Sequence, residues 1–383
     1  MRGKHIIIFT STFYDFDKNK IKIGGVETYI KDLARLCASL GFDIKVIQYS
    51  KENTEEVKIT FEKITVVGLP IRSSVQVLFN NIRKDNPNTF IIIASDQLTI
   101  KDKNPRTLQI QHGIAFDIPV EFISGFWHKS KFLIHLNKLL RCIKNVRRFY
   151  QVPNTVCVDY NFFNWFRTLG IISSDNYVRV IPNYASKRIQ QEELNRKLQT
   201  FTGVKKIIFA RRFVDYRGTN LFIDVAEKLL KKYQNLSITF AGSGPLENKI
   251  RLKFKDNKRV DITSFTADES VSVHSKYDMA IVPTIFSEGT SLSLLEAMAA
   301  GCFTVATHVG GMTNIMIDGY NGLLSYPDTD SVYLSIVEAI EMDNERFKSI
   351  VRNGYDSIVS GFSINHWKEE WTKVLNDWTK SSK

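Results

Sequence analysis

Hydrophobic residues along this chain alternate between short continuous runs and stripes at helical spacing. The run from Lys4 to Ser11 predicts a buried strand, and the stripe after it predicts a helix that ends at Gly41. Strands that alternate with helices indicate a parallel sheet with crossover helices on both faces. Further strands are predicted at Asp43–Ile47, Ile64–Leu69, Thr89–Ala94, Thr107–Ile110, Thr155–Val158 and Val178–Ile181.

The same alternation restarts after Pro182. It predicts an α/β protein of two doubly wound, Rossmann-like domains, at residues 1–183 and 184–364, that face a central cleft. The polar stretch Asn183–Gln199 is the predicted hinge, and a helix is predicted from Leu292 to Ala300. The strands predicted for this half are Lys205–Ala210, Leu236–Ala241, Arg259–Ile262, Met279–Pro283 and Cys302–Ala306. Cys302–Ala306 is predicted to be the final strand of the chain.

The C-terminal helix carries an aromatic stripe made of Trp367, Trp371, Leu375 and Trp378. A stripe of this kind requires a partner surface, because a surface helix exposes its polar face and buries its apolar one. We therefore expect residues 365–383 to pack back on the first domain.

Composition places the chain among cytosolic globular proteins. Its four cysteines, Cys37, Cys142, Cys157 and Cys302, lie far apart and predict free thiols without a metal site. We find neither a signal-peptide core nor an apolar run long enough to span a membrane. The net charge of +12 favours anionic partners, among which nucleic acid, anionic membrane and phosphorylated substrates are the candidates.

Residues 287–301 carry the strongest chemical signal. Small residues at 289–291 precede a helix, so backbone N–H groups and the helix dipole can meet an anion there. Glu288 and Glu296 flank this turn and suit the hydroxyl groups of a sugar-nucleotide. Taken alone, Glu296 could instead form a capping box with Ser293, and Glu288 could be an exposed loop carboxylate.

Seven residues separate Glu288 from Glu296, in a segment that resembles the E-x7-E signature of family 4 retaining glycosyltransferases. The resemblance implies the two-domain GT-B fold, a sugar contact for Glu288 and a ribose contact for Glu296. Ser291 stands where that family more often has glycine, which we expect to affect the sugar pocket. Backbone contacts to the donor are implied for Gly289, Thr290, Ser291 and Leu292.

The loop after Lys205–Ala210 resembles the G-R-L…K-G loop of the same family. Arg212 falls on the position of its arginine and Arg217 on that of its lysine, so both are expected to neutralise the donor diphosphate. Arg211 replaces the usual glycine, and its role is left open. An arginine pair without this context would be a solvated loop.

Four further motifs agree with the resemblance. Gly242 and Gly244 look like the G-x-G-P turn of the family near the nucleotide base. Gly310-Gly311 resembles the glycine pair in the later G-G…N-G-L-L segment of the family. Gly25, in a glycine pair that could also be a plain helix start, is implied to contact the donor. His112 falls at the histidine that is implied to contact the donor sugar, although a lone histidine at a strand end is more often structural.

The resemblance implies sugar transfer with retention and without a cofactor or an obligatory metal. UDP-sugars are favoured over GDP-sugars, and the acceptor is expected to be a glycan or a lipid-linked molecule of bacterial surface polysaccharide. Asp96 is a possible but unsupported site residue, and Asp328-Thr329-Asp330 is expected to start a helix. The alternatives are a sugar-nucleotide epimerase of the same fold and a basic nucleic-acid-binding protein, although no nucleic-acid motif is present.

Residues 128–150 contain seven Lys and Arg residues without one Asp or Glu, with apolar residues at helical spacing. One interpretation is a cationic surface helix whose apolar stripe packs on the first domain. We favour a helix that also lies against anionic lipid, because crowded like charges need a negative surface to offset them. This predicts a peripheral enzyme on the inner face of the cell membrane.

Overall fold

The computed structural model describes residues 4–22, 24–95, 98–113, 125–169, 177–286 and 288–381. The described residues divide into two compact units. Unit 1 comprises those up to 113, residues 129–182 and those from 368 onward, and unit 2 comprises residues 125–128 and 183–367. Along the chain the main division falls between Pro182 and Asn183.

Unit 1 is built on a sheet whose central strand carries a continuous run of buried isoleucines. Such runs are typical of parallel strands that are covered on both faces. In chain order its strands are β1 His5–Thr10, β2 Tyr14–Asp15, β3 Lys20–Ile21, β4 Asp43–Ser50, β5 Val57–Phe61, β6 Ile64–Pro70, β7 Phe90–Ile93, β8 Thr107–Gln111, β9 Asn154–Cys157 and β10 Tyr177–Val180.

Eight of these strands form one sheet, in the order β10-β9-β8-β7-β1-β4-β6-β5, while β2 and β3 form a separate antiparallel ribbon. All neighbours in the large sheet are parallel except β5 and β6. The sequence pattern missed β5 because its residues alternate between half-buried and exposed positions. The helices of unit 1 are α1 Gly25–Ser39, α2 Val75–Asp85, α3 Lys131–Phe149 and α4 Tyr160–Leu169.

Unit 2 contains a six-stranded, fully parallel sheet in the order β13-β12-β11-β14-β15-β16. The prediction that Cys302–Ala306 is the final strand is wrong, because one more strand, Leu323–Ser325, follows it. That strand has three residues, which is too short for a recognisable apolar run. The strands are β11 Lys206–Ala210, β12 Ser237–Ala241, β13 Val260–Thr263, β14 Met279–Val282, β15 Phe303–Thr307 and β16 Leu323–Ser325.

The helices of unit 2 correct the predicted hinge. Residues 191–199 form a helix whose Leu194 and Leu198 are buried in the unit 2 core, so this stretch is an element of the domain. The predicted helix start at Asp328 is confirmed, with Asp328 as the N-cap. The helices are α5 Gln191–Gln199, α6 Thr219–Lys232, α7 Glu247–Lys253, α8 Ser270–His274, α9 Leu292–Ala299, α10 Thr329–Glu341 and α11 Asn344–Gly361.

The last helix, α12, spans Ile364–Ser381, and its aromatic stripe is buried. Trp367 packs on Tyr184 at 4.5 Å between ring centroids, within unit 2. From residue 368 the helix belongs to unit 1, where Trp371 Nε1 donates a hydrogen bond to Tyr29 Oη at 2.7 Å. Trp378 Nε1 donates to the Pro105 carbonyl at 2.9 Å.

The four cysteines are buried and free, which confirms the predicted thiols. None of the helices in the described parts of the chain combines the length and the apolar character that a membrane span requires.

Candidate active site

The carboxyl edge of the unit 2 sheet brings three loops together. Arg211 follows β11, Gly242 follows β12 and Glu288 comes after β14, and these three strands are neighbours in the sheet. Open parallel sheets bind ligands at this edge, beside the N-termini of helices. The donor-binding residues predicted in this half therefore share one edge of unit 2.

The segment of small residues at the N-terminus of α9 is held by hydrogen bonds from Asn183. The Asn183 backbone N–H donates to Thr290 Oγ1 at 2.8 Å, and Asn183 Nδ2 donates to the Thr290 carbonyl at 2.6 Å. Ser291 is the N-cap residue and Leu292 begins the helix. Since Gly289, Thr290 and Ser291 are buried in a fixed arrangement, the first-turn N–H groups form a suitable anion site.

Glu288 is buried, and its side chain is held through one oxygen. Arg211 Nη2 donates to Oε2 at 2.7 Å, Thr284 Oγ1 donates to it at 3.1 Å, and Arg217 Nη1 donates to the same atom. Among the described residues, every hydrogen bond that this carboxylate accepts falls on Oε2. Oε1 is therefore the oxygen that can accept a hydroxyl group of a ligand.

The charges of this cluster depend on each other. Burial raises the pKa of Glu288, but Arg217 and Arg211 lower it further, so the net pKa lies below the ordinary value and the carboxylate is ionised at neutral pH. Burial lowers the pKa of Arg211, and the charge of Glu288 opposes that shift. Removing one member of a buried ion pair leaves an uncompensated buried charge, so Glu288 and Arg211 depend on each other for stability.

The structure separates the two adjacent arginines, of which the family pattern favoured Arg212. Arg211 is buried against Glu288, with its Nη1 3.5 Å from Ser291 Oγ, whereas Arg212 is exposed. One of the two side chains therefore reaches Glu288, and the other faces solvent. The sequence left the role of Arg211 open, and a diphosphate contact for Arg212 stays a prediction.

Arg217 differs from Arg211 in its freedom to move. It ends a short 3₁₀ turn, Asp215–Arg217, directly before α6, and its side chain is 24% exposed against 6% for Arg211. An arginine at the rim of the site can exchange one anionic partner for another, while a buried one cannot. The position of Arg217 therefore fits a contact with an incoming anionic ligand.

Glu296 is held by α8, and the alternative of a capping box with Ser293 is wrong. Ser270 Oγ donates to Glu296 Oε2 at 2.6 Å, whereas Ser293 Oγ donates to the Ala210 carbonyl at 2.8 Å. Burial raises the pKa of Glu296 to about 7, against opposing effects of Ser270 and Arg211. No local sequence signal identified Ser270, because α8 is a single short helix from another part of the chain.

Gly242 and Gly244 form the turn after β12, where the chain passes very close to the Arg211 loop. A Cβ atom on Gly242 would overlap the Arg211 carbonyl, and one on Gly244 would lie 2.6 Å from the Phe213 carbonyl oxygen. Phe213 N–H donates to the Ser243 carbonyl at 2.9 Å, which joins the two loops. The glycines thus fix the position of the loop that carries Arg211.

In unit 1, His112 follows β8 and therefore lies at the carboxyl edge of that sheet. Its ring meets Tyr29 edge-on, with centroids 5.0 Å apart and an interplanar angle of 86°. Burial lowers the pKa of His112 to about 4, opposed by a hydrogen bond with the Ala94 backbone. The imidazole is therefore neutral at physiological pH, so it can take part in hydrogen bonds without carrying a charge.

Gly25 is the first residue of α1, and Gly24 is the N-cap. A side chain at Gly24 would overlap the carboxylate of Glu27, which is buried and accepts a hydrogen bond from Thr12 Oγ1 at 2.8 Å. The glycine pair thus makes room for a buried acid that sequence reasoning missed. Asp96 lies outside the described residues.

The residues gathered at the carboxyl edge of unit 2 also lie in a recognised family segment. Residues 190–357 match the family model described as glycosyl transferases group 1, a range that contains Arg211, Arg217, Glu288 and Glu296. The chain is a glycosyltransferase. The glycosyltransferase class and the resemblance inferred from the E-x7-E segment are thereby confirmed.

The similarity of this glycosyltransferase to individual proteins extends beyond residues 190–357. It is 23% identical over 333 residues to a phosphatidylinositol N-acetylglucosaminyltransferase subunit of Arabidopsis thaliana, covering 83% of this chain and 72% of the relative. It is 23% identical over 218 residues to lipopolysaccharide 1,2-N-acetylglucosaminetransferase of Salmonella typhimurium (strain LT2), covering 52% and 57%. The structure of HepE from Anabaena in complex with UDP aligns with a TM-score of 0.69 at 15% identity, covering 98% and 100%. The glycosyltransferase has the predicted GT-B fold.

Proposed function

We propose that this glycosyltransferase moves a hexosyl-type sugar from a nucleotide-sugar to a glycan or lipid-linked acceptor, with retention of the anomeric configuration. UDP-sugars are the favoured donors and GDP-sugars the second choice, and the proposed setting is the assembly of bacterial surface polysaccharide, including lipopolysaccharide. The observation that carries the proposal is the buried contact of Glu288 with Arg211 and Arg217 beside the N-terminus of α9.

The cluster has the charges that departure of a diphosphate requires. Negative charge grows on the leaving nucleoside diphosphate during transfer, and preorganised donors stabilise it best. Arg217 at the rim, Arg212 in the same loop and the N–H groups at the start of α9 are the proposed donors. Because these cations belong to the protein, we propose that the reaction has no obligatory metal and no cofactor.

Glu288 is proposed to bind the transferred sugar through Oε1. Its other oxygen is held by Arg211, Arg217 and Thr284, so the free oxygen of this ionised carboxylate has a fixed direction. A carboxylate oriented in this way accepts hydrogen bonds from sugar hydroxyl groups and favours positive charge at the reacting carbon. Arg211 supports this role from within the protein.

Glu296 is proposed to bind the ribose, and the turn at Gly242 and Gly244 to lie near the base. Ser270 fixes one carboxylate oxygen of Glu296 and leaves the other for a ribose hydroxyl. For His112 and Gly25 of unit 1, we propose a contact with the transferred sugar. A neutral His112 can donate or accept one hydrogen bond there without repelling or attracting charge.

Similar proteins support the donor and acceptor classes. The names of two relatives describe N-acetylglucosaminyl transfer, to phosphatidylinositol in one case and to lipopolysaccharide in the other. Structures of HepE from Anabaena contain UDP, and UDP-glucose in a second complex. A UDP-sugar donor and an acceptor attached to lipid are therefore the proposals to test first.

The surface of α3 supports a membrane-associated acceptor. One face of this helix is buried in unit 1, yet a second apolar stripe is exposed and is bordered by basic residues. Exposed apolar residues grouped beside basic ones are typical of helices that lie on an anionic membrane surface. We propose that this stripe lies against anionic lipid on the inner face of the cell membrane. The exposed apolar residues are Phe132, Leu139 and Leu140, and the exposed basic residues are Lys131, Arg141, Lys144 and Arg147.

The test is a screen of nucleotide-sugars against lipid-linked and free glycan acceptors, in the presence of a chelator, followed by analysis of the anomeric configuration of the product. We expect transfer from a UDP-sugar with retention. An inverted product would refute the retaining assignment, and an absolute requirement for a divalent cation would refute metal independence. Interconversion of two nucleotide-sugars without any acceptor would identify an epimerase instead.

A further inference from the structure

A hydrogen bond joins the C-terminal helix α12 to helix α1 of unit 1. Trp371 Nε1 donates to Tyr29 Oη at 2.7 Å, although the two residues stand 342 positions apart in the chain. Both side chains are almost fully buried. Tyr29 lies on α1, the helix that follows β1, so the bond ties α12 to the first crossover helix of the unit.

Tyr29 passes this contact on to His112. The Tyr29 ring meets the Trp371 ring at 6.2 Å and 75°, and it meets the imidazole of His112 at 5.0 Å and 86°. These edge-to-face contacts depend on the orientation of the rings as well as on their separation. A change in the position of the Tyr29 ring therefore changes the packing against His112.

His112 depends on such support because it is neutral. Burial lowers the pKa of His112 to about 4, so an ion pair does not orient the ring at physiological pH. Two of the contacts that hold the imidazole are packing against Tyr29 and a hydrogen bond with the Ala94 backbone, at the end of the neighbouring strand. A neutral hydrogen-bonding group acts on a substrate only when its direction is fixed.

We propose that Trp371 is a positioning residue, which holds Tyr29 and through it the catalytic orientation of His112. This inference rests on the proposed sugar contact of His112. It assigns to the C-terminal helix a part in sugar transfer in addition to its part in the core of unit 1.

Trp378 supplies a matched control on the same helix. It is buried like Trp371 and also donates through Nε1, but its acceptor is the carbonyl of Pro105 and its ring meets Phe90 at 4.9 Å. Pro105 precedes β8 and Phe90 begins β7, so Trp378 packs at the amino edge of the sheet. His112 follows β8 and lies at the opposite edge.

The experiment compares Trp371→Phe, Tyr29→Phe, their double variant, Trp378→Phe and His112→Ala in kcat, donor KM and melting temperature. The first two substitutions each remove one partner of the bond. Tyr29→Phe keeps the ring itself, and Trp371→Phe keeps an aromatic ring of smaller size. We expect each to lower kcat roughly 10-fold with donor KM nearly unchanged, because misorientation of a reacting group affects turnover first. The double variant should be no worse than the poorer single variant, since both remove the same bond.

Trp378→Phe should lower the melting temperature about as much as Trp371→Phe does. Its kcat should nevertheless stay within about twofold of that of the parent. A loss of kcat in Trp378→Phe equal to that in Trp371→Phe would reduce Trp371 to a stabilising residue and overturn the proposal. Unchanged kcat in Trp371→Phe, with His112→Ala inactive, would also overturn it. If His112→Ala itself kept full activity, the sugar contact proposed for His112 would fail instead.

Discussion

Arg211 Nη2 lies 2.7 Å from Glu288 Oε2, and both side chains are nearly excluded from solvent. The arginine stands where the family that this segment resembles usually has glycine. It fixes one oxygen of the carboxylate that we propose meets the sugar. The remaining oxygen, Oε1, can then accept a hydrogen bond from one direction only.

We expect Glu288→Gln to reduce turnover by on the order of 10²-fold or more, because the amide keeps the shape of the side chain and loses its charge. The melting temperature should fall as well, since Arg211 is left buried without its partner. Steady-state kinetics and thermal unfolding measure the two effects. Glu247→Gln, which removes one partner of an exposed pair with Arg251, is the control and should change neither. Turnover close to that of the parent would end the assignment of Glu288.

Replacing Arg211 with glycine should move the acid limb of the pH–activity profile to higher pH. Arg211 lowers the pKa of Glu288, so its removal raises that pKa and the carboxylate becomes protonated earlier on acidification. Arg211→Lys keeps the charge and should leave the limb near its original position. The measurement is kcat across the acidic range for both variants. Identical acid limbs in the parent and Arg211→Gly would show that the pair does not control Glu288.

Arg217→Ala and Arg212→Ala should each weaken the binding of the nucleoside diphosphate product roughly 10-fold or more, because the diphosphate is their proposed partner. Calorimetry with UDP and GDP measures this, with Arg251→Ala on the surface of α7 as the matched control. Loss of affinity in Arg217→Ala alone would remove Arg212 from the diphosphate site. Unchanged affinity in both would reject the placement of the diphosphate in this loop.

Binding of the donor should strengthen as the pH rises from about 6 to about 8. Burial raises the pKa of Glu296 to about 7, so its carboxylate becomes ionised in this interval and then accepts ribose hydroxyl groups more strongly. The same ionisation should lower the free energy of unfolding, because a raised carboxyl pKa stabilises the fold below the unfolded pKa and loses that effect above the folded one. Glu296→Gln should bind the donor with no such dependence. A parent protein whose donor affinity is flat over this range would contradict the role of Glu296.

Binding to anionic vesicles should depend on α3 and on salt. Each basic residue near an anionic surface contributes about 1 kcal/mol, so neutralising four should weaken binding by on the order of 10³-fold at low salt. Cosedimentation with anionic and neutral liposomes measures this for Lys138, Arg141, Lys144 and Arg147 changed to glutamine. The control changes four basic residues of unit 2, Arg251, Lys253, Lys255 and Lys258, in the same way.

A second variant, in which serine replaces Phe132, Leu139 and Leu140, should reduce binding that persists at high salt. Equal binding of the parent and the α3 charge variant to anionic vesicles, or no binding by either, would make α3 a surface helix of unit 1 alone.

The sequence by itself determined most strands of the two large sheets, the two-part α/β order and the segment around Glu288. Buried parallel strands are short continuous apolar runs, and a helix N-terminus carries its own local signal, so a few consecutive residues suffice for each. The match of Glu288 and Glu296 to a known spacing is local in the same way. Elements with weak local patterns were missed, such as β16 with its three residues and α5 in a polar stretch.

Only the tertiary structure decided which side chains meet. Arg211 and Glu288 are 77 residues apart, and they touch because β11 and β14 are neighbours in the sheet. The order of the strands in that sheet cannot be read from the sequence. Which of Arg211 and Arg212 turns inward is fixed by the direction of one loop against the turn at Gly242. The bond from Trp371 to Tyr29 joins the two ends of the chain. Such contacts result from packing between distant elements, and hydrophobic periodicity carries no information about them.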